Sequence, residues 1–179
     1  MERRNSTLIR LVIAAVAALG LALTGQFPAH AATGDLTCTA QAQVNFSPAL
    51  AAGGTSTGDV DAVLDNCTSP NGSFSRLTSA EALGSATVSA APGVNPCSLR
   101  LTLNATLKAT WQNGQHSDIA AELTTDPTLG TAGLTATVTG GQLAGDSITP
   151  VIVEINPNPD CATNGLKSLT TTTAQAIFG

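Results

Sequence analysis

Three residue types of a serine-hydrolase triad stand side by side in one short segment of the sequence, Gln115-His116-Ser117-Asp118. His116 is the only histidine after residue 31, and so the only imidazole there that could act as a general base near neutral pH. Neighbouring residues of a strand point to opposite faces, so His116 and Ser117 cannot bond as a base and its nucleophile must. His116 can still act as the base for a serine elsewhere in the sequence, but no G-x-S-x-G motif, the turn that exposes a nucleophilic serine, indicates which one. We therefore predict no catalytic residue and an exposed histidine beside a turn.

Carboxylates are the next candidates, because a glycosidase needs only two of them, held about 5 to 9 Å apart. Asp59, Asp61 and Asp65 share one phase of an alternating segment, and Asp126 and Asp146 lie in segments that predict loops. The first three are expected on the solvated side of a strand. No segment has the dense oxygen-ligand spacing of a known calcium loop. The sequence thus predicts no metal site, and it indicates no cofactor.

Aromatic residues are too few to build an evident sugar-binding platform. The chain has no tyrosine, and after residue 31 it has three phenylalanines and a single tryptophan, Trp111. Phe46 and Trp111 are in phase with rows of apolar residues, so both are expected in the core.

The strongest pattern in the chain covers residues 99–111, where seven apolar residues alternate with polar ones. A period of two predicts a strand with one buried face. Asn113-Gly114 follows at once, a pair that tolerates the positive backbone angles of a tight hairpin turn, and residues 117–123 can form the returning arm. Trp111, Asn113 and Gly114 are therefore predicted to be structural residues of a hairpin.

Shorter alternating segments surround this hairpin. They begin near Leu36, Val60, Ala86, Leu134 and Val151, and a Thr-rich segment ends the chain. Clusters of Gly, Pro, Asn and Asp separate them, and no stretch after residue 31 has the 3.6-residue period of a long helix. The pattern predicts an all-β fold, a single antiparallel β-sandwich or barrel, immunoglobulin-like, with one domain over residues 32–179.

All four cysteines, Cys38, Cys67, Cys97 and Cys161, follow residue 31. A metal site needs close spacings such as C-x-x-C, whereas the nearest two cysteines here are 29 residues apart. Two disulfides are expected, and four cysteines allow three connectivities. Pairing of the first two strands would bring Cys38 and Cys67 to the same end. This favours Cys38 with Cys67 and Cys97 with Cys161.

The first 31 residues predict a secretory signal peptide. They contain the basic head MERRNSTLIR, an uncharged apolar run over residues 11–23 and an A-x-A cleavage site at Ala29-His30-Ala31. The run is short for a membrane span, which needs about 20 apolar residues, so a membrane anchor is the weaker alternative. Arg3-Arg4 leaves a twin-arginine export route open.

Cleavage after Ala31 would leave four basic and eleven acidic side chains, a net charge of about minus seven. Four scattered cations cannot build a basic patch, so neither nucleic acid nor an anionic membrane surface is an expected partner. The sequence predicts a secreted, extracellular protein that does not associate with a membrane after cleavage.

Several motifs follow one another after residue 31: an early cysteine leading to Phe46-Ser47-Pro48, Cys67, Trp111-x-x-Gly114-x-x-Ser117, the segment GQLAGD at 141–146, a late cysteine and a terminal strand. In this order they resemble a group of small secreted β-sandwich proteins of actinobacteria such as Streptomyces. The resemblance implies a bacterial, exported origin, and it brings no catalytic, cofactor or binding residue.

Two classes of function remain open. One is a secreted, non-catalytic module that binds an unknown extracellular protein or cell-surface component, through its loops or through an edge strand. The other is a small secreted hydrolase or an enzyme inhibitor. We favour the first, because it needs only the disulfide-bonded scaffold that the sequence predicts.

Overall fold

The alternating segments form nine β-strands in a computed structural model, which describes residues 34–126, 131–152 and 154–179. The predicted signal peptide lies outside these residues. The strands are β1 (Leu36–Leu50), β2 (Thr55–Thr68), β3 (Ala80–Ala90), β4 (Leu101–Trp111), β5 (His116–Asp126), β6 (Thr131–Gly141), β7 (Ser147–Ile152), β8 (Asn156–Pro157) and β9 (Leu166–Phe178).

The strands pair in chain order from β1 to β7, and the sheet then closes through β9, which pairs with both β7 and β1. All the pairings are antiparallel, and the two residues of β8 pair with the first half of β9. The result is a closed barrel of eight strands with β8 added to β9. The all-β, antiparallel prediction is confirmed, and of its two architectures the barrel is the one found. An immunoglobulin-like sandwich has two facing sheets, whereas this strand order describes one closed sheet.

The interior of the barrel is apolar because the long strands alternate between apolar and polar residues, apart from a few register shifts in β1, β5 and β9. In β4 the inward residues run from Leu101 to Trp111 at every second position, and Thr106 and Lys108 between them face solvent. Buried side chains form two clusters, one at each end of the barrel. Trp111 and Phe178 belong to the first cluster, and Leu50 and Leu166 to the second.

Two disulfides hold the barrel together, Cys38–Cys67 and Cys97–Cys161, which is the pairing that the sequence favoured. The first links β1 to β2 where their register shifts, between Thr37 and Thr39. The second joins the loop before β4 to the turn before β9, so it ties together two segments that no strand pairing connects. Disulfides of this kind are typical of an oxidising compartment.

The β4–β5 hairpin lies where the sequence predicts it, with a slightly different turn. The Trp111 amide donates to the carbonyl of Gln115, and the Gly114 amide donates to the carbonyl of Trp111. Gly114 has a φ of +82°, whereas Asn113 is not among the residues with positive φ. The loop therefore spans three residues and needs one left-handed position, which glycine occupies.

In the part of the chain that the structure describes, helical structure is limited to single turns, a 3-10 turn at Pro96–Ser98 and a short helix, α1 (Cys161–Asn164). The sequence showed no helical period because one turn is too short to display one. No helix among the described residues is long and apolar enough to cross a membrane.

Candidate functional site

The structure separates His116 from Ser117, as strand alternation predicts. His116 is exposed on the outside of β5, whereas Ser117 is fully buried at the first end of the barrel. The Ser117 hydroxyl donates to the carbonyl of Gln142 at 2.6 Å and accepts the indole N–H of Trp111 at 2.9 Å. The Ser117 hydroxyl therefore uses both its donor and its acceptor capacity to link β4, β5 and the segment after β6. Ser117 and His116 do not form a nucleophile and base pair.

Trp111 fills the first end of the barrel, as expected of a packing residue. It is 1% exposed, and its ring centroid lies 6.3 Å from that of Phe178 on β9. The hydrogen-bond partner of its indole N–H was not predicted from the sequence. The Trp-x-x-Gly-x-x-Ser spacing was the available signal, because Ser117 lies opposite Ala109 across the hairpin, and Trp111 two residues further on is its diagonal neighbour, within reach of a long side chain.

The aspartates singled out in the sequence do not form a cluster. Asp59, Asp61 and Asp65 are exposed on the outer face of β2, as predicted. Asp126 pairs with Arg100 at 3.1 Å near the second end of the barrel, while Asp146 follows β6 at the first end. Among the residues that the structure describes, no group of three or more His, Cys, Asp or Glu side chains could hold a metal ion.

Asp146 has an unexpected neighbour. It is 2% exposed, and its Oδ2 atom has no hydrogen-bond partner among the described residues. Burial, and to a lesser extent the negative charge of Asp35, raise the pKa of this carboxyl from 3.8 to about 6. Asp35 itself is buried and accepts a hydrogen bond from the side-chain amide of Asn71 at 2.5 Å. The folded protein therefore keeps Asp146 protonated up to about pH 6, where a solvent-exposed aspartate is already ionised.

Substitution of Asp146 with asparagine should remove one pH dependence of stability. The pKa is higher in the folded state than in the unfolded chain, so this group stabilises the fold fully below about pH 4, and that contribution is lost as the pH rises through 6. A difference of about 2 units corresponds to roughly 3 kcal/mol. The free energy of unfolding of Asp146→Asn relative to the wild-type protein should rise by up to that amount between pH 4 and pH 7.5.

Urea denaturation at a series of pH values measures this difference, and Asp118→Asn, on the outer side of β5, is the control. A difference between Asp146→Asn and the wild type that stays constant from pH 4 to 7.5 would show that the carboxyl titrates as it does in the unfolded chain.

The barrel contains a cavity of about 200 Å³ between its two packed ends. Inward side chains of β1, β2, β4, β5, β6, β7 and β9 line it, together with Ile155 before β8. Among the described residues that line it, Thr171 and Gln175 alone have polar side chains, and Thr171 Oγ1 already accepts the Ala42 amide at 3.1 Å. The site can therefore hold an apolar molecule and offers no charge to bind an ion.

Small residues create this cavity because strand register places them at one level. Ala105 of β4 faces Ala121 of β5, and Ala121 faces Ala136 of β6. On the other side of the barrel, Ala42 of β1 faces Ala62 of β2. The alanines that line the cavity are Ala40, Ala42, Ala62, Ala105, Ala121, Ala174 and Ala176. An eight-stranded barrel is just wide enough for large side chains to fill, so a layer of alanines leaves space.

Comparison with known proteins adds no assignment to this geometry. No protein-family model, no curated protein and no solved structure matches the chain.

Proposed function

We propose that this chain is a secreted, non-catalytic binding module, and that it holds a small apolar molecule inside its barrel. The observation that carries the proposal is the cavity of about 200 Å³, whose wall is almost entirely hydrocarbon. A well-packed barrel would fill such a space, because interiors have few voids larger than a water molecule. Apolar cavities of about 150 Å³ stay dry and bind benzene.

The proposal that the protein is secreted rests on observations other than the cavity. The two disulfides suit an oxidising environment, and the basic head, apolar run and A-x-A site of the first 31 residues suit export. The resemblance to secreted actinobacterial proteins agrees with both. The hydrolase alternative gains no support, because Ser117 is used in packing and His116 faces the opposite side.

The kind of partner differs from the sequence-based expectation of an extracellular protein or cell-surface component. A concave apolar space inside a rigid scaffold fits a small molecule, since such a space buries most of the surface of its ligand. A cavity of about 150 Å³ holds benzene, which has six non-hydrogen atoms. By the same ratio, the cavity of about 200 Å³ accommodates a ligand of roughly eight non-hydrogen atoms. A binding free energy of roughly 0.6 kcal/mol per non-hydrogen atom lies between the values for the best small fragments and for drug-sized ligands. For such a ligand it corresponds to a sub-millimolar dissociation constant.

Titration with ethylbenzene and with indole, followed by NMR spectroscopy and by thermal unfolding, tests this proposal. The wild-type protein should bind at least one of them and unfold at a higher temperature in its presence. Ala121→Leu places a larger side chain in the cavity and should weaken binding by about tenfold or more. Ala120→Leu, the adjacent residue on the outer face of β5, is the matched control and should bind like the wild type.

Two results would contradict the proposal. One is a wild-type protein that binds neither probe at millimolar concentration. The other is an Ala121→Leu variant that is folded and binds the probes as tightly as Ala120→Leu does.

A further inference from the structure

The seam between β6 and β7 is the weakest join in the barrel wall. Among the described residues, its ladder consists of two pairs, Ala136 with Ile148 and Thr137 with Ser147. The β4–β5 ladder, by comparison, continues without interruption from Leu101 to Thr110. β6 begins at Thr131 and β7 continues to Ile152, so both strands extend beyond the point where their pairing ends.

Pro150 explains why the pairing ends there. Ser147 and Gly179 exchange two backbone hydrogen bonds, at 3.1 and 3.0 Å, so the odd-numbered residues of β7 bond toward β9 and the even-numbered residues face β6. Pro150 therefore presents its nitrogen to β6, and proline has no N–H to donate. Continuing the ladder by two residues from Ala136 and Ile148 places Leu134 opposite this missing donor.

The next strand does not close the gap. After β7 the chain reaches β8, whose Asn156 and Pro157 pair with Thr170 and Leu169 of β9. No pairing of β8 with β6 occurs among the described residues. Among the described residues, the first half of β6 thus has no paired strand on its β7 side, a break in the ladder that we call the gap. Leu134 of β6, Pro150 of β7 and Ile155 before β8 lie on the segments that border this gap.

We infer that this gap is the entrance to the barrel cavity and that Pro150 keeps it open. The inference rests on the proposed function, since it assigns the route by which the ligand of that site enters. Leu134, Pro150 and Ile155 all line the cavity, so the gap and the cavity share the same side chains.

The chemistry of the entrance also restricts the ligand class. The side chains that line both the gap and the cavity are apolar, and between Pro150 and Pro157 the only charged residue is Glu154, which is exposed. An apolar interior strips any ion of its hydration, whether the ion is an anion or a cation, and offers no compensating charge. The ligand is therefore a neutral, mostly hydrocarbon molecule, such as a single substituted ring or a short branched chain, and neither a fatty acid anion nor an amine.

The decisive variant is Pro150→Ala, which restores a backbone donor facing Leu134. The ladder should then extend past Pro150 and narrow the entrance. We expect both the association rate and the dissociation rate of ethylbenzene, measured by NMR exchange, to fall by about tenfold or more, because a narrower entrance slows passage in both directions. Val151→Ala, the adjacent residue whose amide faces β9, is the matched control and should leave both rates unchanged.

Hydrogen exchange tests the gap without any ligand. In the wild-type protein the amide of Ile152, which faces β6, should exchange at least about tenfold faster than that of Val151, which faces β9. In Pro150→Ala the Ile152 amide should become slower. A wild-type Ile152 amide as protected as that of Val151 would overturn the inference, because the seam would then be closed.

The outcomes separate the two proposals. If Ala121→Leu no longer binds ethylbenzene, the cavity is the binding site. If Pro150→Ala then binds and releases ethylbenzene at the wild-type rates, the gap is not the entrance and the inference is overturned. Octanoate or octylamine binding as tightly as ethylbenzene overturns the neutral ligand class. Failure of every apolar probe to bind the wild type overturns the proposed function, and the entrance with it.

Discussion

Replacement of Trp111 by alanine is expected to lower the free energy of unfolding by about 3 to 5 kcal/mol, the usual cost of removing a large aromatic side chain from a core. Trp111 is 1% exposed and packs against Phe178 at the first end of the barrel. The substitution also removes the donor to Ser117 Oγ, which stays buried with one hydrogen bond fewer. Urea denaturation measures the change.

His116→Ala is the control for this prediction, because His116 is exposed on the outer face of the same hairpin. It should change the free energy of unfolding by less than about 0.5 kcal/mol. Tryptophan emission offers an independent measurement, since Trp111 is the only tryptophan in the chain. A native emission spectrum like that of tryptophan in water, together with an unchanged stability of Trp111→Ala, would show that the ring is not packed in the core.

Removal of the Cys97–Cys161 disulfide should cost a similar amount, about 4 kcal/mol for a sequence separation of 64 residues if loop entropy dominates. The bond connects the loop before β4 with α1, and Cys161 is buried in the core cluster at the second end of the barrel. Small domains are stable by about 5 to 15 kcal/mol, so the double variant Cys97→Ala, Cys161→Ala should be folded but marginally stable. Its melting temperature under non-reducing conditions measures the loss.

The Cys38–Cys67 disulfide provides a comparison for the Cys97–Cys161 disulfide. Cys38→Ala, Cys67→Ala opens a loop of only 29 residues between two strands that remain paired, so its cost should be lower by roughly 0.7 kcal/mol on loop entropy alone. A loss below about 1 kcal/mol for the Cys97 and Cys161 pair would contradict the entropic account and assign the stability of that end to side-chain packing.

Local features of the chain could be predicted because they depend on alternation. The period of two over residues 99–111 identifies β4 and its buried face, and Asn113-Gly114 identifies the turn that follows. Both the burial of Trp111 and the exposure of His116 follow from these two patterns. The Cys38–Cys67 bond was predictable for the same reason, since consecutive strands joined by a short loop pair with each other.

Other features could not be predicted because they depend on register between strands that are distant in sequence. Alternation shows that Ala42 and Ala121 both face inward, but only the register around the closed barrel places them on the wall of one cavity. In the same way, the fold brings Asp35 before β1 close to Asp146 after β6, and no local spacing relates the two.

The sequence by itself determined which segments are strands and which side of each strand is buried, because both follow from short-range periodicity and turn chemistry. It favoured one of the three cysteine pairings, and the tertiary structure selected that pairing. Only the tertiary structure decided between barrel and sandwich, since closure requires β1 to pair with β9, a strand more than 100 residues away in sequence. It also decided where the barrel is empty and where its wall is open. A layer of alanines and a proline on β7 become a cavity and a gap only when the register around the barrel aligns them.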